Sequence, residues 1–254
     1  MKKTVVFRGS VVFDKHPKNF LEESVKVLRA WFDDEVIVST WEGQEKYLTK
    51  IDGIDKVVIS KDPGPGPIQH LNRQVMSYEN GVENANGDLV LVTRTDFMHF
   101  IDLFQFYGGQ NKVDFRYKIF KSKLLIGNMM SINPLSYEVP NTYRLADWFQ
   151  MGLKEDVANW GCISKQIKDK TFTSPCTEKI WLTSCLSKNG LSCTPEDTSA
   201  IDKDFWHYVI SNFVIKNTKS TLKSINMNWI NQPENLPSYI TEELYNAHYD
   251  NHFP

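Results

Sequence analysis

The sequence predicts an α/β fold of three layers, with a mostly parallel central sheet and a more helical C-terminal part. Short apolar runs at residues 4–7, 35–41, 56–60 and 89–92 have strand length, and the last follows the turn signal Asn86-Gly87-Asp88. Longer amphipathic stretches at 19–32 and 71–85 fall between them, so the order is strand, helix, strand, strand, helix, strand. Alternation of buried strands with covering helices is the pattern of a parallel sheet. A chain of 254 residues is long enough for one substantial core.

Each element has its own signal. Residues 4–7 give way to Arg8-Gly9-Ser10, a glycine-containing turn. Phe20, Val25, Leu28, Trp31 and Phe32 recur near helical period, with Glu22, Glu23, Lys26 and Arg29 on the other side, and Asp33-Asp34 stops that helix. The second strand ends in Ser39, Thr40 and Trp41. The third runs into Asp62-Pro63-Gly64-Pro65-Gly66-Pro67, which can continue neither regular structure and is a shaped loop, either a rigid connector or a backbone wall around a ligand. Leu71, Val75, Tyr78, Val82 and Ala85 are spaced as one helix face. Beyond residue 100 the pattern predicts a strand over 121–126, an irregular connection over 128–140 and one or two short helices over 144–160. A loop over 168–175, helices over 178–186 and 204–215, and a polar tail that packs back on the domain complete it.

Composition narrows the classes of function. The 29 Lys and Arg against 31 Asp and Glu leave a formal charge of -2, so no global field draws nucleic acid. Fifteen Phe, ten Tyr and seven Trp suit a core, a sugar-sized pocket or a partner surface. Cys162, Cys176, Cys185 and Cys193 match no zinc or redox spacing and read as reduced thiols of an intracellular, cytoplasmic protein, with which the short apolar run after Met1-Lys2-Lys3 agrees. There is no GxGxxG, P-loop, HExxH or GxSxG motif, so dinucleotide, P-loop and serine-hydrolase chemistry lose ground.

Two charges at the end of a buried strand, Arg94 and Asp96, are the sharpest candidates. Strand ends of open α/β sheets are where ligands bind. Asp96 could hold a divalent cation that neutralises a diphosphate, or simply form an ion pair or helix cap. Arg94, two residues earlier on the same face, could pair with it or contact substrate phosphates. Arg8, Gly9, Thr40 and Trp41 close the first and second strands at the same edge, and Arg73 lies in the first turn of the second helix, where its charge opposes the dipole.

The blocks Ser39-Thr40-Trp41-Glu42-Gly43, Asp62-Pro63-Gly64, Asn72-Arg73-Gln74 with Ser77, and Arg94-Thr95-Asp96 together resemble the WavE family of lipopolysaccharide-synthesis proteins. Asp147-Trp148-Phe149 with Gly152 and Asp156, and the segment from Pro175 to Glu178, are similar to its later blocks; the resemblance spans residues 4–190. It implies a GT-A-like (nucleotide-diphospho-sugar transferase) fold and a glycosyltransferase that uses a nucleotide sugar to extend a bacterial surface glycan, lipopolysaccharide or capsule. It also implies Mg or Mn at a DxD-type motif, for which Arg94-Thr95-Asp96 has arginine in the first acidic place. An inverting reaction needs a carboxylate base, and the family blocks put Asp147 and Glu178 first and Asp156 third. The plainer roles are a helix N-cap for Asp147 and a dipole interaction for Glu178.

The resulting expectation is a single domain over 1–254. Residues 1–100 would bind the nucleotide sugar at Arg8, Gly9, Thr40, Trp41, Arg73, Arg94 and Asp96, with metal at Asp96. Residues 101–215 would bind the acceptor and carry Asp147 and Glu178, and 216–254 would be a packing tail. The partners would be a nucleotide sugar and a glycan acceptor, with peripheral inner-membrane contact through a lipid-linked acceptor. Sugar-phosphate nucleotidyl transfer and non-catalytic glycan binding on a degenerate transferase fold are the alternatives.

Overall fold

A computed structural model describes residues 1–11, 20–64, 66, 68, 70–128, 143–146, 148–168, 170–172, 176–217, 222–224 and 240–253. Its strands and helices in chain order are β1 (Lys3–Arg8), α1 (Phe20–Arg29), β2 (Glu35–Trp41), β3 (Lys56–Ser60), α2 (Leu71–Glu83), β4 (Leu89–Arg94), β5 (Phe97–His99), β6 (Leu124–Gly127), β7 (Phe149–Leu153), α3 (Lys154–Gly161), α4 (Ser164–Ile167), α5 (Thr177–Lys188), α6 (Phe205–Asn212), β8 (Phe213–Lys216), β9 (Leu222–Ser224) and α7 (Glu242–His252). Seven strands form the central sheet in the order β3-β2-β1-β4-β7-β6-β8, and β5 pairs with β9 in a small ribbon. All neighbours in the large sheet are parallel except β7, which runs antiparallel to both β4 and β6. The expected three-layer, mostly parallel α/β fold is therefore present.

Strand alternation divides the core in two. Val5, Phe7, Val36, Val38, Leu89 and Leu91 pack with Leu21, Val25 and Leu28 of α1 on one face. Val6, Ile37, Val90 and Val92 pack on the other with Val75, Tyr78 and Val82 of α2 and with residues of α3, α5, α6 and α7. Close approach of α2 depends on Gly81, where a Cβ would stand 2.4 Å from Val6 Cγ1. Among the described residues no helix is long and apolar enough to cross a membrane.

Residues 1–96 follow the expected order of strands and helices; beyond them the β5–β9 ribbon and the short helix α4 are unexpected, and three longer elements also differ from expectation. Residues 149–153, expected within short helices, form a strand in the sheet, because Phe149 and Met151 bury one face while Gln150 fills the other at 0% exposure and donates to Ala146 O at 3.1 Å. The helix expected over 204–215 ends at Asn212, and Phe213 starts β8 beside β6. The polar tail carries the unexpected helix α7, whose Tyr245 hydroxyl donates to Phe213 O at 2.6 Å.

Candidate functional site

The parallel ladder places Arg8, the last residue of β1, directly opposite Arg94, the last residue of β4. By strand parity both continue the rows of Val6 and Val92, so both lie on the α2 face at the carboxyl edge of the sheet. Arg94 forms a bidentate pair with Asp96, Nε donating to Oδ1 at 2.8 Å and Nη2 to Oδ2 at 2.7 Å, and its guanidinium lies 5.1 Å from the centroid of Phe97. Asp96 is 4% exposed. Burial alone would raise its pKa, but the charge and hydrogen bonds of Arg94, with a further contribution from Arg8, hold the carboxyl below the usual range.

Arg8 is buried, its guanidinium carbon 5.8 Å from the ring centre of Tyr78 and 5.6 Å from that of Trp181. Gly9 follows with φ +113°, a conformation natural only to glycine. A Cβ there would meet only Thr95 Oγ1, at 3.5 Å, so the backbone angle rather than space demands glycine. Thr95 ties the two strand ends together: its N–H donates to Arg8 O at 3.1 Å and its hydroxyl to Ser10 O.

Trp41 ends β2 on the same face as Arg8 and is buried. Thr40 points to the opposite face, where its hydroxyl donates to Gln44 Oε1 at 2.8 Å; the same oxygen accepts from Val11 N at 2.7 Å. Gln44 thus braces the turn after β1, a role its position just beyond the Ser39–Gly43 block hints at only in retrospect. Arg73 forms a bidentate pair with Asp62, at 2.8 and 2.6 Å, and Asp62 also accepts from Gly64 N at 2.9 Å. Those bonds from Arg73 hold Asp62 below the usual carboxylate range. Gly66 packs so closely on Asn72 that a Cβ would be 2.8 Å from its Cγ. The proline-glycine loop and the Asn72-Arg73-Gln74 block are therefore one structural unit at the start of α2.

Glu178 lies in the first turn of α5, buried, with Cys176 Sγ donating to its Oε2 at 2.9 Å. Trp181, three residues on and on the same side of α5, is a ring beside Arg8. Asp147 lies outside the described residues; Phe149, two residues later, pairs with Thr93 near the end of β4. Asp156 is at the opposite end of the sheet, since β7 runs antiparallel to β4, and it accepts from Lys121 N at 2.7 Å and Ser122 N at 2.8 Å. It clamps a loop and is not part of the edge. His99 is buried beside Thr93, Nε2 to Oγ1 2.8 Å, and desolvation lowers its pKa to about 3.

The donor set does not suit the Mg or Mn expected at Asp96. Both oxygens of that carboxylate accept hydrogen bonds from Arg94. Among the described residues, no three His, Cys, Asp or Glu side chains converge to complete a cation shell. A guanidinium occupies the ground a first aspartate would.

The family profile described as WavE lipopolysaccharide synthesis matches residues 3–232. No curated protein matches the chain. Among solved structures, HddC from Yersinia pseudotuberculosis complexed with GMP-PN is 11% identical, with 91% of this chain and 97% of that one covered and a TM-score of 0.44. Galactosyltransferase LgtC in complex with donor and acceptor sugar analogs is 13% identical over 70% of each chain, with a TM-score of 0.43. A Drosophila β1,4-galactosyltransferase 7 in complex with manganese, UDP-Gal and xylobiose is 11% identical over 80% of this chain and 69% of that one, with a TM-score of 0.37. The profile covers all but the first two residues and the last 22 of 254, and the chain belongs to the WavE lipopolysaccharide-synthesis family.

Proposed function

We propose that the chain is a GT-A-type glycosyltransferase that moves a sugar from a nucleotide-sugar donor to a hydroxyl of a bacterial surface glycan. The observation that carries this reading is the apposition of Arg8 and Arg94 at the carboxyl ends of two adjacent parallel strands, with Asp96 locked to Arg94. Two guanidiniums stand where open α/β sheets bind ligands. The donor diphosphate would sit there. Arg94, held in place by its two bonds to Asp96, would meet the charge that grows on the departing diphosphate without reorganising. Arg8, buried over its rings, would act through its field, while Gly9 admits close backbone approach and Trp41 and Arg73 border the nucleoside.

For an inverting transfer, Glu178 would take the proton of the acceptor hydroxyl as its oxygen attacks the anomeric carbon and the bond to the diphosphate breaks. Asp147 is the other base proposed. Residues 1–100 would form the donor half and 101–215 the acceptor half, working at the cytoplasmic face of the inner membrane on a lipid-linked acceptor.

The test is a thermal-shift screen of nucleotide sugars with and without Mn, followed by product analysis for any donor that stabilises the protein. One donor should raise Tm and be converted to a nucleoside diphosphate. If no donor in a saturating panel binds or is consumed, and Asp96→Ala leaves the native activity unchanged, the reading fails. Pyrophosphate released from a nucleoside triphosphate would assign nucleotidyl transfer instead.

A further inference from the structure

Strand β3 is the outermost of the large sheet on one side, and among the described residues no strand pairs with its free edge. Such an edge presents backbone N–H and C=O groups that another strand can join. Its sequence, Lys56-Val57-Val58-Ile59-Ser60, places three β-branched apolar residues in succession, as strands paired on both sides do. Val58, half-buried, packs against the core on the α2 face. Val57 and Ile59 point to the other face beside Val38 and Thr40 of β2, and they are 39% and 38% exposed. Among the described residues no other strand carries an exposed large apolar side chain.

The charges that flank this apolar pair select its partner. By strand parity Asp55 and Lys61, one residue beyond either end of β3, share its exposed face, so that face reads Asp55, Val57, Ile59, Lys61. The row is self-complementary. In an antiparallel pair of two copies about a two-fold axis through Val58, Asp55 stands opposite Lys61 of the second copy and Val57 opposite its Ile59, and each pairing occurs twice. A register slipped by two residues sets Asp55 against an isoleucine or Lys61 against a valine, and a slip of one turns the two apolar rows to opposite faces. Both charges have capacity left. Asp55 accepts from Arg29 and from Val36 N, the latter at 2.7 Å, through Oδ2 alone, and Lys61 is exposed and makes no ion pair among the described residues. Pro63, which could not donate to a ladder, lies beyond the paired stretch.

We propose that β3 is a homodimer interface, at which two copies of this chain join edge to edge and antiparallel into one continuous sheet of twice seven strands. The carboxyl edges of the two copies then face opposite ways. A two-strand contact belongs to the small, transient class of interface, below about 1,200 Å², so the dimer forms at about 10–500 μM protein. The inference does not rest on the proposed reaction.

Sedimentation velocity over that range is the test, on wild type, Ile59→Lys, Lys61→Glu and, as a control for a charge change elsewhere, Lys203→Glu. Wild type should pass from monomer to dimer. Lys61→Glu opposes like charges at two symmetry-related places and should raise the dissociation constant about tenfold; Ile59→Lys should raise it further, and Lys203→Glu should leave it unchanged. Ile59, Lys61 and Lys203 are all exposed, and Lys61→Glu keeps the test valid if Ile59→Lys fails to fold. Oxidation of Val58→Cys, the residue on the axis, should give a disulfide-linked dimer, and Lys61→Cys, which stands opposite Asp55, should not. Wild type that stays monomeric to about 500 μM, a dimer that Lys61→Glu or Ile59→Lys leaves unchanged, equal weakening by Lys203→Glu, or cross-linking of Lys61→Cys in place of Val58→Cys would overturn the proposal.

Discussion

Replacing Arg94 by Met should destabilise the protein in a way that reverses the pH dependence of its neighbour Asp96. Removing one partner of a buried ion pair costs about 3–5 kcal/mol, because the other charge is left without compensation. The Arg94 side chain is 34% exposed against 6% for Asp96, so solvent screens it and the expected loss near neutral pH is about 2–3 kcal/mol. In wild type the native Asp96 pKa lies below its unfolded value, so its stabilisation is complete above the unfolded pKa and is lost as pH falls through the native one. Without Arg94, burial becomes the leading influence and the native pKa rises above the unfolded one. The cost is then full at neutral pH and is relieved as pH falls through the raised value. Urea denaturation of both proteins at about pH 7 and about pH 4.5 should show the difference in stability shrinking by about 1 kcal/mol or more. His99 is common to both and cancels. The double variant Arg94→Met/Asp96→Asn should recover much of the loss, as a cycle of coupled neighbours does. A difference that is constant with pH, or a double variant whose cost is the sum of the single ones, would refute the argument that Arg94 keeps Asp96 ionised.

Three further outcomes follow from particular residues. Glu178→Gln preserves the shape of the first turn of α5 and removes the base, so kcat of the transfer should fall by about 10²–10⁴ with the donor-induced Tm shift retained; an unchanged kcat would move the role to Asp147. His99, with its native pKa lowered to about 3, contributes stability that is complete above its unfolded pKa and is lost as pH falls from there towards the native value. His99→Phe should therefore flatten the acid limb of the stability curve between about pH 6.5 and pH 3, by up to about 1.4 kcal/mol per pH unit, in chemical denaturation. Gly161→Ala would put a Cβ 2.0 Å from Cε1 of Tyr78, the ring beneath Arg8. A loss of about 1–3 kcal/mol, together with weaker donor binding, is expected in melting and thermal-shift experiments.

The first half of the fold was legible because its signals are local. The runs ending at Arg8, Trp41, Ser60 and Arg94 are bounded by turn residues, and Leu71 to Ala85 holds one helical face without interruption. Strand β7 was hidden because Phe149-Gln150-Met151-Gly152-Leu153 is short, carries a buried glutamine and becomes a strand only through pairing with β4 and β6, both distant in sequence. Strand β8 was hidden because no turn residue separates it from α6. In α7 only Tyr245 and Tyr249 are buried, too thin a stripe to register against a polar background. At the site, the two-residue spacing of Arg94 and Asp96 announced a shared face but could not choose between an ion pair and a ligand set.

The pairing of Arg94 with Asp96 bears on why this chain carries arginine at a strand end. A diphosphate leaving group needs positive charge where the bond breaks, and either a cation held by carboxylates or a fixed guanidinium supplies it. A cation needs several oxygen donors with lone pairs to spare. Asp96 directs both of its oxygens to Arg94, while Arg8 stands opposite on β1 over Tyr78 and Trp181. The carboxylate thus serves to fix a guanidinium. On the proposed reading, donor affinity should be insensitive to chelators and lost in Arg94→Met, whereas a carboxylate-held cation would give the reverse ranking: strong loss on chelation and a smaller effect of Arg94. The same calorimetric titration with EDTA, Mg and Mn added in turn separates the two, and dependence on the metal in wild type would overturn the assignment of the charge to Arg94.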